Sequence, residues 1–171
     1  MSLDSLDKLF LEELKDVYNA EKQILRALPK MAKAADSPQL QQAFTKHLKE
    51  TEGQVQRLEK IFQELGQSAR GKKCKGMEGL LEEGKEVLEE DGEPAVIDAA
   101  LIASAQRVEH YEIAAYGCLR TYAQLLGYTQ AERLLQQTLD EEEAADQKLT
   151  ELGESGINEA AAMFGEVEAE R

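Results

Sequence analysis

Two glutamates stand where the spacing of apolar residues calls for hydrophobic side chains. Glu21 lies four residues after Val17 and three before Ile24, so it falls on the apolar stripe of a helix. Glu112 holds a matching place four residues after Val108. An ionised carboxylate inside a helix bundle is costly unless it is paired or binds a metal ion. The two glutamates therefore indicate a buried polar site.

Two further segments bring polar side chains toward the same interior. One adds Glu142 and Asp146 on its own apolar face. Another offers His47, Glu50 and Gln54, one step round from its stripe of Leu48, Thr51 and Val55. Hard oxygen donors from facing helices can neutralise two divalent ions. The set predicts a dinuclear, carboxylate-rich metal site. For any one of these acids taken singly, a solvated place at the edge of a stripe is the alternative.

The elements that must position these side chains are long helices. Only three prolines interrupt a chain without period-two alternation, and its apolar residues recur every three or four positions. The predicted core helices cover about 5–35, 38–65, 94–126 and 129–152, joined by a crossover at 66–93 and followed by a tail at 153–171. A short amphipathic helix is expected inside the crossover, at about 77–90. This pattern predicts an all-α antiparallel four-helix bundle, formed by a single domain of residues 1–171.

The two halves of the chain repeat each other. A shift of 91 residues pairs Glu21 with Glu112 and Glu50 with Glu141 without a gap. A repeated helix pair joined by a long middle connection is the layout of a four-helix bundle with one crossover.

Composition excludes several classes of function. The 171 residues carry 34 acidic and 20 basic side chains and a net charge of −14, so the protein's own field would repel nucleic acid. The chain has no apolar run long enough to cross a bilayer, and acidic residues come early at the N-terminus. We therefore expect a cytoplasmic protein with neither a nucleic-acid nor a membrane partner.

Ordered motifs along the chain identify a family. They are Asp16-Val-Tyr-Asn-Ala-Glu-Lys-Gln23, His47-Leu-Lys-Glu-Thr-Glu-Gly-Gln54, Met77-Glu-Gly-Leu80, Val108-Glu-His-Tyr-Glu-Ile-Ala-Ala115 and Thr138-Leu-Asp-Glu-Glu-Glu-Ala-Ala-Asp146. With them the chain closely resembles the YciE/YciF family of bacterial ferritin-like stress proteins, from about residue 3 to residue 152. The resemblance implies a rubrerythrin-like bundle, a ferroxidase-like di-iron centre, a homodimer and an association with stress responses.

The resemblance also implies metal ligands. Glu21 and Glu112 match the ligand positions of the first and third long helices, with Glu109 one turn from Glu112 as a further donor. Glu50 matches the carboxylate of the second long helix.

The fourth long helix and the histidine positions complete the implied set. Glu142 and Asp146 match the fourth helix, where Glu143 competes with Glu142. Where ferritins and rubrerythrins present histidines, this chain offers His47, Gln54 or Asp146. The coordination is then richer in oxygen, and we expect two Fe ions per chain, with Mn, Mg or Ca as alternatives.

Two classes of function follow. The first is a ferroxidase-type oxidoreductase, or a peroxide-linked stress protein, that oxidises Fe(II) with O2 or peroxide. The second is a non-catalytic structural or signalling dimer whose metal site is vestigial or holds a non-redox ion. The dimer is expected from the resemblance and from the apolar residues of the short crossover helix.

Overall fold

Four long helices and two shorter ones form the protein in this computed structural model, which describes residues 3–169. They are α1 (Leu6–Ala34), α2 (Pro38–Glu64), α3 (Lys75–Glu89), α4 (Pro94–Leu126), α5 (Thr129–Leu152) and α6 (Asn158–Ala169), the last after a kink at Gly153–Ile157, where Gly156 has a φ of 151°. Within this described stretch there is no strand, so the predicted all-α class is confirmed. The four long helices agree with their predicted bounds to within one residue. The ends of the predicted domain and tail, 1–2 and 170–171, lie outside the described residues.

The long helices close into a ring. α1 contacts α2 and α4, and α5 contacts the same two helices. Short connections at 35–37 and 127–128 reverse the chain direction within each pair, whereas the crossover from α2 to α4 carries α3 against α1 and α4. Gly127 ends α4 with a φ of 74°, a left-handed conformation that favours glycine. The predicted antiparallel bundle with one long crossover is thereby confirmed. None of the helices within residues 3–169 has the length and hydropathy that a membrane span requires.

The turn between α1 and α2 is held from both sides. Ser37 caps α2 by accepting the backbone N–H of Leu40 at 3.4 Å, and Pro38 occupies the first turn, where its missing N–H costs nothing. From α4, the buried carboxylate of Asp98 accepts the N–H of Asp36 at 2.8 Å and that of Ser37 at 2.7 Å. Asp98 thus fixes the first helix pair against the second.

The start of the crossover is fastened to the bundle. The Asn19 side chain accepts the N–H of Cys74 at 2.8 Å, and the Gln23 amide donates to the Cys74 carbonyl at 3.0 Å. A Cβ on Gly71 would lie only 2.9 Å from Cβ of Asn19, so the backbone approaches α1 more closely than a larger residue allows. The Cys74 thiol also lies 3.0 Å from the Tyr111 hydroxyl of α4. The crossover is therefore a packed element of the fold.

The interior contains two apolar clusters. The first lies toward the α1–α2 turn and consists of Ala20, Ile24, Leu28, Met31, Ala35, Leu40, Phe44, Cys74, Met77, Leu101, Ile102, Ala105, Val108, Leu149 and Leu152. The second lies toward the opposite end and consists of Phe10, Leu14, Val17, Leu58, Ile61, Phe62, Tyr116, Leu119, Ala123, Ala131, Leu135 and Leu139. On every long helix the two sets are separated along the sequence, so the bundle interior is interrupted at mid-height.

The buried face of α2 differs from the predicted one. The sequence placed Leu48 on the stripe and His47 beside it, but Leu48 is only partly buried, whereas His47, Thr51 and Gln54 are buried. The stripe advances three residues from Phe44, not four, which rotates the inward face by about one position. Polar residues of α2 consequently face the interior of the bundle.

Loss of the Asp98 carboxylate should destabilise the bundle. In D98A, two part-buried N–H groups lose their acceptors, and we expect unfolding free energy to fall by about 2–4 kcal/mol. D98N keeps one acceptor oxygen and should lose less. Urea unfolding measures both, with D91A at an exposed acid as the control. A D98A loss no larger than the roughly 0.5 kcal/mol of ordinary surface substitutions would refute the role.

Candidate metal centre

A layer of buried polar side chains crosses the bundle between the two apolar clusters. Each long helix contributes to this polar layer: Glu21 from α1, His47, Thr51 and Gln54 from α2, Glu109 and Glu112 from α4, and Thr138 and Glu142 from α5. None of these residues is more than 5% exposed. Four of the eight are glutamates, which are almost never fully buried without a partner.

Four members of the polar layer form a compact group. His47, Glu109, Glu112 and Glu142 each offer one donor atom, and these atoms all lie within 4.8 Å of one another. The His47 Nε2 atom is 3.4 Å from Glu109 Oε1 and 3.6 Å from Glu142 Oε2. One imidazole and three carboxylates converging from α2, α4 and α5 could hold a metal ion.

Many donor atoms of the layer are unsatisfied. Those without a hydrogen-bond partner in the described part of the chain include Glu21 Oε2, His47 Nδ1 and Nε2, Gln54 Oε1, Glu109 Oε2, Glu112 Oε1 and Oε2, and Glu142 Oε2. Buried polar atoms are nearly always bonded, so this concentration needs a common explanation. Bound divalent cations would explain the unsatisfied atoms, because carboxylate oxygens and imidazole nitrogens are the ligands that such cations bind. When ionised, the four buried glutamates carry the charge that two divalent ions would balance.

Electrostatics in the layer favour protons when no cation is bound. Burial, and next the negative charge of Glu142, raise the pKa values of Glu21, Glu109 and Glu112 well above the ordinary glutamate value. For His47, burial lowers the pKa, but the carboxylates of Glu50 and Glu142 outweigh burial and raise it. Metal binding must therefore displace protons from the layer.

Several ligand candidates are oriented by an outer partner. The buried Tyr116 hydroxyl donates to Glu21 Oε1, and the Gln54 amide donates to Glu142 Oε1, which leaves the second oxygen of each carboxylate free. Glu50 Oε2 lies 3.5 Å from Nδ1 of His47. Such partners fix the orientation of a metal ligand and tune its basicity.

The Gln54 amide is itself braced by an ion pair. Its nitrogen also donates to Glu141 Oε2 at 3.2 Å, and Arg57 donates to the same oxygen at 2.7 Å and to Thr138 at 3.1 Å. The pairing of Arg57 with Glu141 was not predicted from the sequence. The available signal was the internal repeat, which pairs Glu141 with Glu50, another acid beside the layer.

The structure brings together five of the nine candidate residues as possible direct donors. Glu21, Glu109, Glu112, Glu142 and His47 all lie in the layer with unsatisfied atoms. Of these, Glu109 and His47 were only secondary candidates from the sequence. Gln54, another secondary candidate, also lies in the layer, where its amide nitrogen is used by Glu142.

Three candidates lie outside the polar layer. Glu50 is partly exposed and bonds to Lys46, so it contacts the layer only through His47. Asp146 is one turn beyond Glu142 and lies 3.2 Å from the exposed His110 ring. Glu143 is exposed on the outer face of α5. Their distances from the group follow from the helix register, since neighbouring turns and opposite faces diverge.

Removing one buried carboxylate should change how the stability of metal-free protein depends on pH. The pKa of Glu112 is raised in the folded state, so the wild type loses stability as pH rises through the unfolded value near 4.5 toward the folded one. We expect E112Q to gain on the wild type by up to about 1.4 kcal/mol per pH unit across that window. Urea unfolding of chelator-treated protein at several pH values measures this gain.

The dependence on pH is decisive, because a poorly bonded glutamine amide does not titrate and would lower the unfolding free energy by the same amount at every pH. E143Q, at an exposed position of α5, serves as the control and should show no such slope. A difference between E112Q and the wild type that stays constant from pH 4.5 to 7.5 would contradict the prediction.

Comparison with known proteins places this geometry in a family. Residues 5–162 match the family described as a domain of unknown function, DUF892. Protein YciF of Escherichia coli (strain K12) is 48% identical over 162 residues, which cover 94% of this chain and 98% of that protein.

Solved structures agree in fold. The E. coli stress protein YciF matches with a TM-score of 0.88, covering 91% of this chain and 99% of its own. YcfI from Rhodopseudomonas palustris, for which a structural role has been suggested, matches with a TM-score of 0.84 at 44% identity. The match covers 88% of this chain and 97% of YcfI. A protein from Xanthomonas campestris pv. campestris shares the fold at 19% identity, with a TM-score of 0.73 and coverage of 96% and 99%. The resemblance to the YciE/YciF family is therefore confirmed, and the chain belongs to the DUF892 family of proteins related to E. coli YciF.

Proposed function

We propose that the protein binds two iron ions in the polar layer and oxidises Fe(II) with peroxide or O2. One observation carries this proposal: four fully or almost fully buried glutamates and one histidine converge with unsatisfied donor atoms inside an apolar bundle. Such a layer does not stabilise a purely structural core, because each buried carboxylate lowers the stability of the fold until a cation neutralises it. Iron suits a set of carboxylates with one imidazole.

Each ligand in the proposed site has a defined role. Glu21, Glu109, Glu112 and Glu142 would supply carboxylate oxygens, and His47 the one nitrogen. Two bound Fe(II) ions would supply two electrons, enough with two protons to reduce one hydrogen peroxide to two waters.

Other side chains would hold these ligands in place. Burial and the charge of Glu21 raise the pKa of Tyr116 well above its ordinary value, so its hydroxyl remains a donor to Glu21. Gln54 keeps one oxygen of Glu142 engaged, and Glu50 stands beside the outer nitrogen of His47. The two apolar clusters exclude bulk water from above and below the layer.

The relatives support a role in stress physiology. The E. coli relative that matches nearly the whole chain is called a stress protein. Consumption of peroxide together with free Fe(II) removes two reagents that damage cells in combination. A stress-linked, cytoplasmic ferroxidase or peroxidase is the function that this site and this kinship support best.

A structural metal protein is the second candidate. The donor set is dominated by oxygen, which suits Mn, Mg or Ca as well as iron. The suggestion of a structural role for the R. palustris relative points the same way. In that case, chelation should lower the melting temperature strongly, and added oxidant should leave the bound metal unchanged.

Neighbouring glutamates of α5 allow a matched test of the metal centre. Anaerobic titration of metal-free protein with Fe(II) should give two ions per chain in the wild type and in E143Q. E142Q should lose at least one ion, because it replaces a buried, charged carboxylate ligand by a neutral amide. E143Q makes the same change at an exposed side chain outside the polar layer. After unbound Fe(II) is removed anaerobically, admission of hydrogen peroxide should produce near-ultraviolet Fe(III) absorbance faster in the wild type and E143Q than in E142Q.

The outcomes separate the two candidates. Equal iron content in E142Q, E143Q and the wild type would mean that the polar layer does not bind the metal. Two bound ions that resist oxidation by both peroxide and O2 would refute the ferroxidase and leave the structural metal protein.

A homodimer remains a prediction. The apolar side chains of α3 are partly buried against the first cluster, namely Leu80, Leu81, Val87 and Leu88, so the dimer rests on the family resemblance. Sedimentation at micromolar concentration should give the mass of two chains. A single-chain mass there would contradict the prediction.

A further inference from the structure

A narrow crevice runs between α2 and α5 toward the polar layer. Its volume is about 40 Å³, and its inner end is formed by His47 and Glu109. Its walls also include three small residues, Ala43, Ala144 and Ala145, and the ion pair of Lys46 with Glu50. A space of this size admits a molecule of two or three heavy atoms, since one water needs about 10–15 Å³ of such space.

The inner end of the crevice is chemically unsatisfied. The Nε2 atom of His47 and the Oε2 atom of Glu109 have no hydrogen-bond partner among the residues described, whereas Nδ1 of His47 faces Glu50 at 3.5 Å. His47 is only 5% exposed and Glu109 only 3%. A molecule that passes the alanines therefore arrives at two of the proposed metal ligands.

The outer end of the crevice carries positive charge. It opens into a wider groove lined by Lys46, Lys49 and Lys148. Lys46 pairs with Glu50, and Lys148 lies 3.5 Å from Glu151, yet the side chains of Lys46 and Lys148 remain 70% and 56% exposed. Glu50 and Glu151 offset part of this charge, but three lysines against two acids leave an excess of positive charge at the opening. On a protein of net charge −14, that excess favours small anions there.

We propose that this crevice is the access and binding site for a small anion or a peroxide-sized molecule that reaches the metal centre. The proposal rests on the proposed function and names the substrate class and route of the same site. Ala144 and Ala145 keep the route open because any longer side chain would project into it. Lys46 and Lys148 concentrate anionic molecules at its mouth.

Azide binding to the Co²⁺-loaded full chain tests the route. Azide is a three-atom anion, and its binding to Co²⁺ changes the visible absorption, so stopped flow follows its arrival without any turnover. A144L and A145L should slow azide association at least tenfold, while the Co²⁺ content stays at the wild-type level. A114L, at an exposed alanine of α4 that lines neither crevice nor groove, should bind azide at the wild-type rate.

A charge-matched pair tests the lysines. K46Q/K148Q should slow azide association several-fold and remove most of its dependence on ionic strength. K30Q/K33Q removes the same charge from exposed positions of α1 outside the groove, and should leave the association rate unchanged.

The results separate the failure of the route from the failure of the site. Wild-type association rates in both A144L and A145L, with full Co²⁺ content, would overturn the route and leave the metal centre standing. A144L changes an exposed position, so its result counts even if A145L fails to fold. A wild-type chain that takes up no Co²⁺ would overturn the metal centre itself, and the route with it.

Discussion

Burial of four glutamates at one level of the bundle is the constraint on which the rest of the structure depends. Each carboxylate loses its hydration, and each repels the others, so the layer opposes folding unless protons or cations neutralise it. The two apolar clusters above and below supply the opposing free energy, because their burial does not depend on the state of the layer. The fold therefore holds a costly arrangement of oxygens in position, which is the physical requirement of a preorganised metal site.

The internal repeat gives the two helix pairs a similar arrangement, but it does not place the same polar side chains in both. Glu21 and Glu112 are equivalent by the shift of 91 residues, as their shared place in the helix stripe requires. The same shift sets Thr51 against Glu142, and Thr138 against His47. The hydroxyl of Thr51 bonds to its own helix, so it offers no charge to the layer. Carboxylates thus gather on the α4–α5 side, while α2 supplies the imidazole and the Gln54 amide.

A feature could be predicted from the sequence when the residues that determine it lie close together along the chain. Helix bounds were predictable because apolar periodicity and local signals such as Gly127 act within a few residues. Glu21 and Glu112 stood out because a charge in an apolar stripe is a local anomaly. The relative roles of His47 and Glu50 were not predictable, since the two lie one turn apart on nearly the same face, and the rotation of α2 about its axis decides which of them reaches the interior. Asp98 was missed because its partners lie about 60 residues away.

The contacts between α2 and α5 would allow one interface both to hold the proposed metal ligands and to admit a small molecule. On the side of the second cluster, Arg57 and Glu141 fill the space between the helices and brace Gln54. On the side of the first cluster, Ala144 and Ala145 are too small to fill it, and the crevice remains. Large paired side chains would fix the geometry of the proposed ligands, whereas small ones would leave a path to them. Because the two functions occupy opposite sides of the polar layer, a change in the width of the path need not disturb the ligands.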